Sequence, residues 1–410
     1  MNHIRTLPKL VWVLLFGVFI TRGSFYMIWP YLSIILIKQH QLSASEVGAL
    51  LSFAGVVSIL IGFMVGSLSD FIGRKWFLLL SGCLNIVAFC MLATLQSIEG
   101  YAIAIFLSSI GRAIWEPTIS ALFNDLMECP TQREFAFQLR YFAINVGSAI
   151  GPLVGIWLSI EGDASNFFIT AASYLMFISA MWLAWVTPST QTVQKTSAST
   201  CTPPSKREII STLGNDKQLL VIVLANILIL FIYGQQDSTL IQYLTRESAE
   251  GLMSLVSMMV AVNSLVTVVS QYFVVKHLTR LSINKKMILG LMFFAIAQII
   301  CSQNSMAFYW GWIAVAVAMS LGQTIIFPLM TVQIDRIAPE HLKGTYYGAS
   351  SFNALGYVCA PYLGGMILDY WGGPVVFQIM FGLCIWVVLI YLRLEKKHSE
   401  TSQSIRSTTY

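Results

Sequence analysis

Charged residues are scarce in this chain, and the shortage excludes a soluble globular fold of its length. Asp, Glu, Lys and Arg make up 10% of the 410 residues, whereas soluble proteins contain about 25%. Hydrophobic residues make up 56% of the sequence. So few charges cannot cover the surface of two or three soluble domains, and the composition therefore indicates a protein that lies in lipid.

Motifs for catalysis, metal binding and nucleotide binding are also missing from the sequence. The seven cysteines are scattered and form no C-x-x-C pair. No G-x-x-x-x-G-K-S/T loop for ATP and no nucleophile elbow is present. We therefore expect no enzyme activity, no metal, no cofactor and no ATP hydrolysis by this chain.

The sequence contains many long apolar stretches. Each is about 20 residues long, the length that crosses the hydrocarbon core of a bilayer as a helix. Backbone groups in lipid must form hydrogen bonds within their own segment, which requires helices here because the alternating pattern of a β-barrel is absent. The first stretch begins near Leu10 and is long enough to span, so we interpret it as helix 1 rather than as a signal peptide. The sequence predicts an all-α membrane protein with 12 transmembrane helices, at residues 9–37, 45–68, 75–96, 100–127, 136–160, 166–187, 217–243, 250–276, 285–302, 305–334, 343–368 and 373–393.

The helices fall into two groups of six around a polar segment rich in Ser, Thr and Pro. We predict an N-terminal six-helix bundle at 1–187, a cytoplasmic linker at 188–217, a C-terminal six-helix bundle at 218–394 and a polar tail at 395–410.

The basic residues indicate the orientation. If the N-terminus is cytoplasmic, 20 of the 24 Lys and Arg residues fall in cytoplasmic segments, and Arg140 is counted among them. This bias follows the positive-inside rule and explains the net charge of +5 without a nucleic-acid partner. We therefore expect both termini on the cytoplasmic side of a bacterial inner (plasma) membrane.

The two halves also resemble each other. Four pairs of punctuating residues are each 209 positions apart: Pro130 and Pro339, Gly147 and Gly356, Pro152 and Pro361, and Gly155 and Gly364. Parallel six-helix repeats are a known transporter architecture, with the substrate site near the midplane.

The strongest local motif lies between helices 2 and 3. It reads Gly66-Ser-Leu-Ser-Asp70-Phe-Ile-Gly73-Arg74-Lys75 and resembles the signature loop G-x-L-x-D-x-x-G-R-K/R of the major facilitator superfamily. The resemblance implies a cytoplasmic gate, in which Gly73 allows a tight turn and the basic pair faces anionic lipid.

A second motif lies in helix 5. Gly147, Gly151, Pro152 and Gly155 form a sequence that is similar to the antiporter motif of the same family. The three glycines are four residues apart and form one face, on which another helix can pack closely. The resemblance implies proton-coupled export.

Ionisable residues at membrane depth are functional candidates because they are costly there. Arg22 lies in helix 1, Arg112 and Glu116 lie one turn apart in helix 4, and Asp237 lies in helix 7. Glu116 with Arg22 or Arg112 is a candidate proton switch, and a fixed Arg112–Glu116 ion pair is the alternative. Polar and aromatic candidates for the cavity are Tyr26, Trp115, Asn145, Tyr233, Gln236 and Gln323.

The resemblance covers nearly the whole chain and implies a monomeric secondary active transporter that works by alternating access. The predicted function is proton-coupled efflux of a small organic compound, such as a drug, a siderophore or another secreted metabolite. The alternative is a nutrient importer, symporter or facilitator for a small solute, including an anionic one. A transporter-like receptor or membrane enzyme is disfavoured because catalytic motifs and extramembrane domains are missing.

Overall fold

A computed structural model of the chain describes residues 7–127, 130–157, 164–186, 216–247, 251–278, 281–339, 346 and 349–408. The predicted linker lies almost entirely outside these residues, so the predicted domain limits stay a prediction. Every element of regular secondary structure in these residues is helical. The α-helices are α1 Lys9–Lys38, α2 Ala44–Ile72, α3 Arg74–Thr94, α4 Ile98–Leu126, α5 Pro130–Trp157, α6 Ala164–Val186, α7 Lys217–Asp237, α8 Thr239–Arg246, α9 Leu252–His277, α10 Ile283–Gln303, α11 Tyr309–Ile337, α12 Ala354–Trp371 and α13 Gly373–Thr408.

Ten helical stretches of the described chain are long and apolar enough to cross a membrane, and one of them is α7 with α8 counted together. Helices α5 and α12 are not among them, and α12 is short and contains glycines and Asp369. With these two helices included, the predicted fold of an all-α integral membrane protein with 12 membrane helices is confirmed.

Side-chain caps explain where several helices begin. The carboxylate of Asp216 accepts hydrogen bonds of 3.0 Å from Gln218 N and Leu219 N at the start of α7. Ser97 and Ser282 cap α4 and α10 in the same way. These side chains satisfy backbone N–H groups that have no partner within their helix.

Several boundaries differ from the prediction, and in place of the helix predicted at 343–368 the structure has a 3₁₀ turn at Ser351–Asn353 followed by α12 from Ala354. Helix α5 begins at Pro130 rather than at residue 136, since proline is well suited to a first helical position although the turns that follow are polar. The predicted helix 217–243 is broken at Ser238, which separates α7 from α8. Helix α13 continues to Thr408 through the predicted tail, where no glycine or proline interrupts it.

The chain divides into two compact units, each with its own packing. Unit 1 comprises 1–42, 49–200 and 251–264, and unit 2 comprises 43–48, 201–250 and 265–410. In unit 1, α1 packs on α5 and α6, and α3 packs on α4 and α6. Its apolar core includes Leu14, Trp115, Phe123 and Phe177.

Unit 2 repeats the packing pattern of unit 1. Helix α7 packs on α12, and α10 packs on α11 and α13. In the repeat, α7 corresponds to α1 and α12 to α5, so the first pair matches α1 on α5. Likewise α10, α11 and α13 correspond to α3, α4 and α6, so the other two pairs match α3 on α4 and α3 on α6. The packing therefore agrees with the internal repeat that the sequence predicts.

Candidate functional site

A cluster of opposite charges lies inside unit 1. The carboxylate of Glu116 in α4 forms ion pairs with Arg22 of α1 and with Arg140 of α5. The other terminal nitrogen of Arg140 donates a 3.1 Å hydrogen bond to Ser120 Oγ, one turn further along α4. Three separate helices therefore contribute to one network, which we call the Arg22–Glu116–Arg140 cluster.

The cluster lies at mid-depth in its helices. At a rise of about 1.5 Å per residue, all three members lie several turns from both ends of α1, α4 and α5. The exposed fraction is 12% for the side chain of Arg140, 21% for Arg22 and 41% for Glu116. The carboxylate is therefore the most accessible member of the cluster.

Arg140, which the count of basic residues placed on the cytoplasmic side, lies well inside helix α5. Because α5 begins at Pro130, Arg140 lies in the third turn of the helix, and its guanidinium faces α4. Its partner Glu116 is 24 residues away in another helix. Sequence spacing offers no signal for such a pair, since only the packing of α4 against α5 creates it.

Arg112 lies beside the cluster against an aromatic surface. Its guanidinium carbon is 4.7 Å from the ring centre of Phe25 and 4.5 Å from that of Trp29. The two rings stack on each other with centres 5.0 Å apart. Cation–π contacts of this kind stabilise a guanidinium away from water.

Asp237 occupies a different environment in unit 2. It is the last residue of α7, and the helix is interrupted at Ser238 directly after it. The hydroxyl of Tyr357 donates a 2.9 Å hydrogen bond to Asp237 Oδ2. In the part of the chain that the structure describes, no cationic side chain pairs with this carboxylate.

Aromatic rings surround this helix break. Tyr233, one turn before Asp237, stacks on Tyr357 with centres 6.3 Å apart and contacts Phe327 edge-on at 4.9 Å. Gln236 is half-buried beside Asp237. Interrupted membrane helices with polar groups at the break are typical of transporter binding sites.

The predicted gate motif lies at the junction of α2 and α3. Gly73 has a φ of 103°, a left-handed conformation that glycine adopts without strain. Arg74 Nη1 forms a 2.6 Å ion pair with Asp125 Oδ2 near the end of α4, and Lys75 Nζ lies 4.0 Å from the ring centre of Trp182. The side-chain positions of Gly66 and Asp70 lie outside the described residues, so their part in a gate stays a prediction.

The glycine motif of α5 forms the contact with α1. A Cβ atom at Gly147 would lie 2.6 Å from Phe19 O, and one at Gly151 would lie 2.8 Å from the carbonyl carbon of Gly23. Both distances are too short for two non-bonded atoms, so the absence of side chains permits this close packing. Gly155 packs against Met27 in the same seam, and Pro152 lies within α5.

Replacing Gly151 by Ala is expected to destabilise unit 1, because α1 and α5 must move apart to accommodate the added methyl group. Overpacking of this kind costs about 1–3 kcal/mol, and the melting midpoint of the purified protein measures it. Gly382→Ala in α13 is the matched control, since a Cβ there meets no atom within 4 Å. That control is expected to be neutral or stabilising because alanine favours a helix, and equal midpoints for the two variants would contradict the prediction.

The echo of this motif in α12 serves the same kind of packing. A Cβ at Gly356 would lie 2.8 Å from the carbonyl carbon of Ile227, and one at Gly364 would lie 3.0 Å from the side-chain amide carbon of Gln235. Both partners belong to α7, the repeat equivalent of α1. The repeated motif in α12 therefore forms a helix–helix contact, as expected if the two halves of the chain share one ancestral packing.

The other cavity candidates occupy several kinds of environment. Trp115 is buried in the core of unit 1, with its ring centre 4.8 Å from that of Phe177. Asn145 is buried and donates a hydrogen bond to Tyr141 O. Tyr26 contacts Phe25 edge-on, and Gln323 is half-buried in α11. No group of three His, Cys, Asp or Glu residues with a metal-binding arrangement occurs among the described residues.

Structural comparison shows the same fold in known transporters. A mutant of the peptide transporter POT superposes with a TM-score of 0.78 over 95% of both chains, at 15% sequence identity. The nucleoside transporter NupG gives a TM-score of 0.74 over 95% of this chain and all of that chain, at 12% identity. At these identities the likeness concerns the fold alone.

Sequence comparison gives relatives that are transporters. The MFS-type transporter YqjV of Bacillus subtilis is 26% identical over 389 residues, which cover 94% of this chain and 93% of the relative. The multidrug resistance protein MdtH of Yersinia pestis is 26% identical over 188 residues, 46% of each chain. The family model described as Major Facilitator Superfamily matches residues 14–353, and the chain therefore belongs to the Major Facilitator Superfamily, a family of transporters.

Proposed function

We propose that the protein exports a small organic compound, such as a drug, a siderophore or another secreted metabolite, in exchange for protons. The proposal places it in the bacterial inner membrane, with both termini in the cytoplasm. Two observations support export: the partial similarity to a protein named for multidrug resistance, and the antiporter-like glycine seam between α5 and α1.

The observation that carries proton coupling is the environment of Asp237. A coupling carboxylate must exist in both a protonated and an ionised form during the transport cycle. Asp237 can be protonated without breaking an ion pair, because its described contact is the neutral hydroxyl of Tyr357. The C-terminal end of α7 adds a partial negative charge at this point, which favours a positive partner such as a proton.

Glu116 is less suited to the same role, although the sequence analysis offered it as a switch. Its carboxylate is the counter-charge of both Arg22 and Arg140. Protonation of Glu116 would leave two guanidinium groups uncompensated inside the membrane, which is costly. We therefore assign proton coupling to Asp237 and a charge-balancing role to Glu116.

A liposome assay tests this function. Purified protein is reconstituted with a pH dye in the lumen, and drugs, siderophores and amino-acid metabolites are added outside one at a time. We expect at least one compound to enter while protons leave, so that the lumenal pH rises only where the protein is present. Empty liposomes and a protonophore provide the controls.

The direction of proton movement decides between the candidate functions. Entry of a compound together with protons would replace exchange by symport, as in a nutrient importer. Entry with no proton movement would replace it by facilitated diffusion. Either result would overturn proton-coupled export.

A further inference from the structure

The Arg22–Glu116–Arg140 cluster carries more positive than negative charge. Two guanidinium groups share a single carboxylate, which leaves an excess of one positive charge within these three residues. An uncompensated charge at membrane depth is expensive and marks a site that recognises something.

The arginines retain hydrogen-bonding capacity beyond their contacts with Glu116. Arg22 contacts Glu116 through one terminal nitrogen. Arg140 uses its two terminal nitrogens on Glu116 and Ser120, while its buried Nε has no acceptor among the described residues. A guanidinium presents five N–H donors in a planar fork that matches a carboxylate, sulfonate or phosphate group.

The surroundings of the cluster indicate the rest of the ligand. Trp29, two turns along α1 from Arg22, is half-buried, whereas Phe25 is buried and the Arg112 guanidinium packs against both rings. An organic anion with an apolar or aromatic body would contact the exposed part of the Trp29 ring as well as the arginines, which a small inorganic anion would not. The Glu116 side chain is 41% exposed, so the cluster is not sealed within its unit.

We propose that the transported compound is an organic anion, or carries an anionic group, which binds Arg22 and Arg140 as a second counter-charge beside Glu116. This inference rests on the proposed function in one respect: it takes the ligand of this site to be the transported compound. It assigns Arg22 and Arg140 to substrate recognition, apart from the proton site at Asp237.

Binding of a charged probe and its neutral analogue to the purified full-length protein tests the site. Benzoate is the anionic probe, and benzamide is the neutral control of the same shape. Binding is measured from the shift of the melting midpoint and from protection of Arg22 and Arg140 against phenylglyoxal, quantified by mass spectrometry. We expect benzoate to bind and to protect both arginines, and benzamide to do neither.

Variants with opposite charge changes sharpen the test. Arg22→Gln and Arg140→Gln are expected to weaken benzoate binding by about tenfold or more, the effect of losing one hydrogen bond between ionised groups. Glu116→Gln is expected to strengthen it by a similar factor because the competing carboxylate is gone. Arg246→Gln removes a guanidinium that pairs with Asp369 elsewhere in the fold and is expected to leave binding unchanged.

Two results would overturn the inference: equal behaviour of benzoate and benzamide with the wild type, or undiminished benzoate binding by both arginine variants. If a glutamine variant fails to fold, Arg140→Lys keeps the charge without the fork and is expected to bind benzoate several-fold more weakly than the wild type. The binding assay needs no flux. Benzoate binding without proton movement in liposomes would therefore contradict the proposed function and leave the anion site supported.

Discussion

Replacing Asp237 by Asn is expected to reduce proton-coupled transport to the level of empty liposomes while exchange of the compound continues. Asparagine cannot bind a proton, so the site is fixed in a neutral state that resembles the protonated carboxylate. The conformational steps open to the proton-loaded protein therefore remain available, and labelled compound still exchanges for unlabelled compound. The pH dye measures the coupled reaction, and counterflow of labelled compound measures the exchange.

Two further variants support the interpretation of this result. Tyr357→Phe removes the hydroxyl that donates to Asp237 over 2.9 Å and is expected to lower the coupled rate about fivefold, the effect of roughly 1 kcal/mol. Asp335→Asn makes the same chemical change at an exposed position of α11 and is expected to have no effect. Undiminished proton movement in Asp237→Asn would remove Asp237 from the coupling mechanism.

The fold could be predicted from the sequence because its signals are local. A run of about 20 apolar residues specifies a membrane helix by itself. The four-residue spacing of Gly147, Gly151 and Gly155 specifies a face for close packing, which the structure places against α1. The repeat in α12 was also visible in the sequence, and Gly356 packs on α7.

The candidate site was less predictable because its contacts join residues that are far apart in sequence. Glu116 is 94 residues from Arg22 and 24 from Arg140. Arg22 and Arg112 were the candidate partners of Glu116 from the sequence, whereas no pattern in it indicated Arg140. The polar run from Gln235 to Ser238 was a visible signal for the helix break, but the apolar residues on both sides led to the prediction of one continuous helix.

Glu116→Gln is expected to destabilise the protein clearly. It removes the carboxylate that pairs with both Arg22 and Arg140, and breaking a buried ion pair typically costs about 3–5 kcal/mol. Because 41% of the Glu116 side chain is exposed, water screens the remaining charges, and a cost of about 2–3 kcal/mol is expected. The melting midpoint measures it, and Glu99→Gln, an exposed position in the first turn of α4, is the matched control.

The double variant Glu116→Gln, Arg140→Gln separates charge balance from the loss of particular contacts. It removes one charge of each sign, so the cluster retains the same net charge as the wild type. We therefore expect the double variant to be more stable than Glu116→Gln alone, although it has lost more hydrogen bonds. If the two substitutions simply add their costs, the residues act independently, and Glu116 is not the counter-charge that holds both arginines in the membrane. Recovery of stability in the double variant would instead mean that the protein tolerates a surplus of one positive charge but not of two. Under that condition a bound anion stabilises the site.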